Sequence, residues 1–185
     1  MKKKYLSFLT NQQAQKWADK LVPTFAKFPH LPKKITDFLV KFAPYLIIVA
    51  AVGQLISGLQ DLLNLNHGAY LLANLFKINR TYYYVSGVFE LVIGLIYLFA
   101  YDGFKNKQYQ GWMLIFWATI LGVVQELVLL FLGWNSLFAI ILSALISLYV
   151  IYEIRPAYLP KKTKTKKSST KKVTSKAKSK TKSKK

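Results

Sequence analysis

From Phe42 to Leu63 the chain reads FAPYLIIVAAVGQLISGLQDLL, with no charge before Asp61. A helix of about 20 apolar residues, rising 1.5 Å per residue, is long enough to cross the hydrocarbon core of a bilayer. This run therefore fixes the class of fold before any other feature is considered. Three more follow, at 82–101, 111–132 and 136–154. A soluble bundle would bring charges back at helical period within these runs, and a β-barrel would alternate apolar and polar residues; neither pattern is present. The sequence predicts an all-α fold, a four-helix transmembrane bundle over 35–155, with an N-terminal interfacial helix in 1–34 and a disordered basic C-terminal tail over 156–185.

Charge is sorted along the chain as strictly as hydropathy. The net charge is +20 although 53% of residues are apolar. Of 27 basic residues, nine lie at or before Lys41 and thirteen between Lys161 and Lys185, leaving Lys77, Arg80, Lys105, Lys107 and Arg155 between them. Threading four spans in order puts the basic arm, the 102–110 loop and the tail on one side. The excess of lysine makes that side the cytoplasm, so the chain is expected in the cell (inner) membrane as a multi-pass protein with both termini cytoplasmic. The opposite loops are 64–81 and the tight Gly133-Trp134-Asn135-Ser136 connection. Trp112, Trp134, Tyr82 to Tyr84 and Tyr101 stand at span ends, where amphipathic rings favour the headgroup layer. No short apolar segment with a small-residue cleavage context precedes the first span, which is expected to stay in the protein.

The arm carries Lys2 to Lys4, a short helix expected over Asn11 to Val22 and ended by Pro23, then Pro29 and Pro32. Trp17, Leu21, Phe25 and Phe28 recur every three or four residues. This predicts a helix on the inner leaflet with Lys16, Lys20 and Lys27 towards headgroups; docking on a partner or on the bundle ends is the alternative. From Pro32 a helix can begin and run into the first span, with Pro44 near the start of that span expected to kink it. From Lys161 to Lys185 the tail holds thirteen lysines and ten serines or threonines, with only Val173 and Ala177 besides. It has nothing from which to build a core. Its expected partners are anionic lipid headgroups of the bilayer or, second, nucleic acid or another polyanion, without base recognition.

Function classes are narrowed by absence. There is no cysteine, which excludes disulfides, iron–sulfur clusters, covalently attached haem and thiol redox chemistry. His30 and His67 fall outside the apolar runs, so haem held between two histidines in the bilayer is not expected. No cofactor, metal set, nucleophile–base pair or phosphate-binding glycine loop is indicated, and an enzyme is the least favoured class.

The informative residues are polar ones inside the spans. Gln54, Ser57 and Asp61 share one face of the first helix; Tyr83, Ser86, Glu90, Gly94 and Tyr97 share one face of the second. Thr119, Gly122 and Glu126, with Gln125 alongside, mark the third, and Ser136, Ala139, Ser143 and Ser147 give the fourth a small-residue stripe suited to close packing. Counted from the outer ends, Glu90 and Glu126 both lie about 9 to 12 Å deep, Gln54 about 14 Å, with Asp61 at the mouth. An ionised acid in lipid costs about 2.5 to 3.5 kcal/mol, and the spans hold no lysine or arginine to pair with it. The candidate ligand or proton site is therefore Glu90, Glu126, Gln54, Gln125 and Asp61, the two glutamates sharing a proton or binding a cation or amine. The alternative is that protonated carboxyls hold the helices together by hydrogen bonds. Asp61 and Glu153, at span ends, read also as interface anchors.

Gln110 to Tyr158, with Gly111-Trp112 opening one span and Tyr149-Val-Ile-Tyr-Glu-Ile-Arg155-Pro156-Ala-Tyr158 closing the next, resembles the ends of small bacterial four-span membrane proteins. The four-span plan and Phe89-Glu90-Leu-Val-Ile-Gly94-Leu are similar to the DoxX family, some members of which are linked to quinone or thiol-redox membrane complexes. That resemblance implies a small carrier or redox-accessory subunit. The first span departs from the family in ending on Asp61 rather than on basic residues, and the lysine tail is foreign to it. The charge pattern instead predicts an accessory or scaffold subunit, in a homo- or hetero-oligomer, engaging anionic lipid or a polyanionic partner through its basic ends.

Overall fold

The computed structural model describes residues 11–63, 80–132 and 136–160. They form five α-helices: α1 Gln12–Phe25, α2 Lys33–Leu62, α3 Arg80–Lys105, α4 Tyr109–Phe131 and α5 Leu137–Ile154, the last followed by a 3-10 turn at Arg155–Ala157. No strand occurs among the described residues. Four of the helices are long and apolar enough to cross a membrane. The described residues are thus all-helical, with the four apolar helices of a multi-pass membrane protein. Lys2 to Lys4, the loop with Lys77, Gly133 to Asn135 and the lysine tail lie outside the described residues.

Each expected span is present, and two are longer. α2 starts at Lys33, directly after Pro32, and runs through Pro44 without a break. A helix interior lacks a donor at proline, but inside a packed segment neighbouring helices and local adjustment tolerate it. α3 extends four residues beyond Tyr101 to Lys105, where Asn106 Nδ2 donates to Asp102 O at 2.8 Å.

Neighbouring helices are antiparallel, and α2 and α3 pack closely because glycines meet at their crossing. A Cβ on Gly58 would lie 2.9 Å from Gly87 O, and one on Gly94 2.9 Å from Leu55 Cγ. In lipid, helix association draws on such close backbone contact, since apolar side chains gain nothing by leaving apolar solvent. The turn from α3 to α4 is tighter still. A Cβ on Gly111 would sit 2.4 Å from Gly103 C, and Lys107 closes the turn with φ 51°.

The apolar core is concentrated at the end where α1 sits. Gly111 to Phe116 are all buried, because α3, α5 and α1 enclose the first turns of α4. Trp112 has no exposed surface. Its Nε1 donates to Ile151 O at 2.9 Å, its ring stacks on Tyr109 and Phe116, and the Arg155 guanidinium lies 5.2 Å from its centroid. The expected place for Trp112 was the headgroup layer. The structure puts it inside, since the arm covers this end of the bundle and leaves no headgroup contact to make.

Of the two expectations for the arm, the structure shows docking on the bundle. Asn11 caps α1 by accepting the Ala14 amide at 2.8 Å, and the helix passes Pro23 to end at Phe25. A proline in the last turn removes a single helical hydrogen bond, which is a small loss so near the end. The buried face is Ala14, Ala18 and Phe25, while Trp17 is 57% exposed. Tyr152 donates to Ala18 O at 2.6 Å, Phe25 stacks on Tyr152, and Arg155 pairs with Asp19. α1 therefore docks on the bundle, with Lys16, Lys20 and Lys27 left exposed. Tyr158, expected in the disordered tail, instead completes this core, its ring tilted against Phe104, where burial pushes its phenol above the ordinary tyrosine range.

Glu153, expected as an interface anchor, clasps the arm. Its carboxylate accepts from His30 Nδ1 at 2.7 Å and from the Leu31 amide at 3.1 Å, while Tyr149 donates to Pro29 O at 2.6 Å. Glu153→Ala is expected to free the 27–32 connection and loosen α1 by about 1 to 2 kcal/mol. Hydrogen exchange at Leu31 and the α1 amides checks this, and unchanged protection there would remove Glu153 from the account of docking.

Candidate functional site

Beyond the apolar end, the facing polar stripes line an open-sided cavity of about 360 Å³. α2 contributes Gln54; α3 contributes Glu90, Ile93 and Tyr97; α4 contributes Ala118, Thr119, Gly122, Val123, Gln125 and Glu126; α5 contributes Ser143, Ala144 and Ser147. Helical periodicity makes this possible: residues three, four or seven apart share a face, so each span presents its polar groups along one line. Gly122 keeps the space open, because a Cβ there would meet only Ile93 Cδ1, at 4.0 Å.

The polar groups are partly organised by one another. Gln125 Nε2 donates to Ser86 Oγ at 3.2 Å, and Ser86 Oγ donates to Glu90 Oε1 at 3.0 Å. Ser86 is buried, so this relay ties α4 to α3 at the cavity wall. Across the cavity Ser143 Oγ donates to Glu126 Oε2 at 2.8 Å, joining α5 to α4. Thr119 turns its hydroxyl to its own helix, donating to Ile115 O at 3.1 Å. Two buried acceptors have no donor: Glu90 Oε2 and Gln54 Oε1. None of the lining residues is basic, so no side-chain cation in the wall satisfies them.

Four of the five residues singled out from sequence thus line one cavity: Glu90, Glu126, Gln54 and Gln125. Asp61 is absent from the lining. It is 7% exposed, packed on α3 where a Cβ on Gly87 would lie 3.2 Å from Asp61 Cβ. There it lies beside the lining rather than in it and interacts electrostatically with Glu90, Tyr82 and Tyr83. Sequence reasoning treated Ser143 as packing, whereas it holds Glu126. The signal was the hydroxyl itself: a serine facing a carboxylate in lipid is a donor as well as a small residue. His/Cys/Asp/Glu groups with metal-binding geometry do not occur among the described residues.

The arrangement can accept hydrogen bonds from a small donor and carry negative charge to meet a cation. Comparison with family models, curated proteins and solved structures gives no match.

Proposed function

We propose that the chain is a membrane-embedded binding or carrier subunit whose polar cavity takes a small ammonium-type cation or passes protons. The observation that carries this reading is the pair of buried acceptors without donors, Glu90 Oε2 and Gln54 Oε1, in one cavity with Glu126. A buried acceptor left unmatched costs about 1 to 3 kcal/mol, and an N–H or O–H donor from a ligand or from a protonated carboxyl recovers it. The volume, near the low end for small-molecule pockets, suits an ion of a few heavy atoms. The DoxX resemblance is compatible with such a subunit, and no residue of the cavity supplies redox chemistry.

Infrared spectra of the protein in lipid test the reading. A carboxyl band is expected to change with pH and on adding methylammonium, and to be lost in Glu90→Gln and Glu126→Gln, which also weaken methylammonium binding by about tenfold or more. A band indifferent to pH and to the amine would instead mean that the acids are structural cross-links.

A second reading is an accessory or scaffold subunit held to anionic lipid or a polyanionic partner by its basic ends. The exposure of Lys16, Lys20 and Lys27 on the docked arm supports it. Deleting charge from arm and tail would then abolish activity while the glutamate variants remain active, the reverse of the outcome expected for the cavity.

A further inference from the structure

A second cleft, distinct from the polar cavity, opens at the arm end of the bundle between the start of α2 and the turn from α3 to α4. It has a volume of about 530 Å³ and gathers Lys41, Lys105 and Lys107, with Asp37, Tyr45 and Tyr101 beside them. The lysines come from three places in the chain: the body of α2, the last residue of α3, and the turn. Charge explains why this is more than a solvated surface. Three like charges brought to one cleft repel, and a single carboxylate, Asp37, faces them. Lys107 also holds a left-handed backbone, φ 51°, which a side-chain-bearing residue adopts at an energetic cost.

The surroundings select the kind of anion. Directly along α2 from Lys41, one and two turns further into the apolar segment, Tyr45 is 67% and Val49 70% exposed. On α3 the residues above Tyr101, Leu98 and Leu95, are likewise exposed. A soluble phosphate has no use for such a surface. A phospholipid does: its phosphate meets the lysines and its chains lie along these exposed apolar residues. Tyr45 and Tyr101 stand between the two zones, at the level where tyrosine favours the interface. Basic pockets between spans on the cytoplasmic side are a known way to hold anionic headgroups.

We propose that Lys41, Lys105 and Lys107 form a headgroup site for an anionic phospholipid of the leaflet at the arm end. This goes beyond the cavity reading and shares no residue with it. It also turns the diffuse attraction of the second reading into a defined site, separable because the arm and tail lysines take no part.

The test uses the full chain reconstituted in phosphatidylcholine bilayers with trace spin-labelled phosphatidylglycerol or, separately, spin-labelled phosphatidylcholine, reading the fraction of label immobilised on the protein. The unaltered chain is expected to prefer the anionic label by about tenfold, given the attraction of a lysine near the surface. Changing Lys41→Gln, Lys105→Gln and Lys107→Gln together should remove most of that preference. Changing the same three to arginine should keep it, which controls for folding. Arm and tail are identical in all three proteins, so the difference reads the cleft. An unchanged preference in the glutamine variant would overturn the site in favour of diffuse attraction by the arm and tail. Displacement of the label by soluble glycerol phosphate would overturn the lipid in favour of a free phosphate. Neither result bears on the glutamate cavity, which methylammonium binding tests separately.

Discussion

Trp112→Ala should lower stability by about 3 to 5 kcal/mol, the range for removing a large aromatic from a packed core. The indole is fully enclosed and joins α4 to α5 beside the residue that holds α1. It bonds α5 through Ile151 O, stacks on Tyr109 and Phe116 within α4, and meets Tyr152 edge to face, the residue that also holds α1 through Ala18 O. Its loss therefore leaves a cavity beneath the arm and an unmatched acceptor in α5. Denaturant titration in mild detergent, followed by the remaining tryptophans, measures the loss. Trp112→Phe, which keeps a six-membered ring but gives up part of the indole's volume together with its N–H, should lose about half as much. Two variants of equal stability would mean that the five-membered ring and its N–H, which phenyl cannot replace, hold this end together.

Gly111→Leu is expected to be at least as damaging locally and to act through a different cause. Here the fault is excess rather than loss. The new Cβ would lie 2.4 Å from Gly103 C and from Phe104 N, both backbone atoms of the preceding helix that no rotamer change can move aside. α3 and α4 must separate at their turn, at a cost of about 3 kcal/mol or more for overpacking against backbone. The reporter is the thermal transition of the purified protein together with cross-linking of cysteines introduced at 101 and 113, which should fall as the hairpin opens. Gly122→Leu is the matched comparison, since only Ile93 lies near: it should fill the polar cavity, spare the fold, and weaken methylammonium binding. Similar destabilisation by both leucines would remove the special role of the Gly103–Gly111 contact.

The two glycine variants mark the limit of what periodicity reveals. Gly94 and Gly122 look alike in sequence, each on a polar stripe within an apolar span, yet one is pressed against Leu55 and the other borders open space. Glu90 and Glu126 were legible as a pair because their depths follow from counting along single helices. That Ser143 would be the partner of Glu126, and Asp61 would fall outside the cavity, was not legible. Both depend on how α5 and α2 are rotated against their neighbours, and a rotation of one residue's angle, about 100°, exchanges a lining position for a hidden one.

The sequence by itself determined the helical class, the number of spans and their approximate ends, and it located the polar line on each. The reason is that transfer of a span into lipid is close to a sum over its own residues, independent of what it later packs against. Only the tertiary structure decided where the amphipathic arm goes. Its apolar stripe suits a leaflet or a protein surface equally well, and the outcome turns on Tyr149, Tyr152, Glu153 and Arg155, which are distant in sequence and brought beneath the arm by the antiparallel return of α5. The same packing buried Trp112 within protein and gathered Lys41, Lys105 and Lys107 into one cleft. Contacts of this kind are products of pairs of surfaces, and pairs of surfaces exist only once the helices have met.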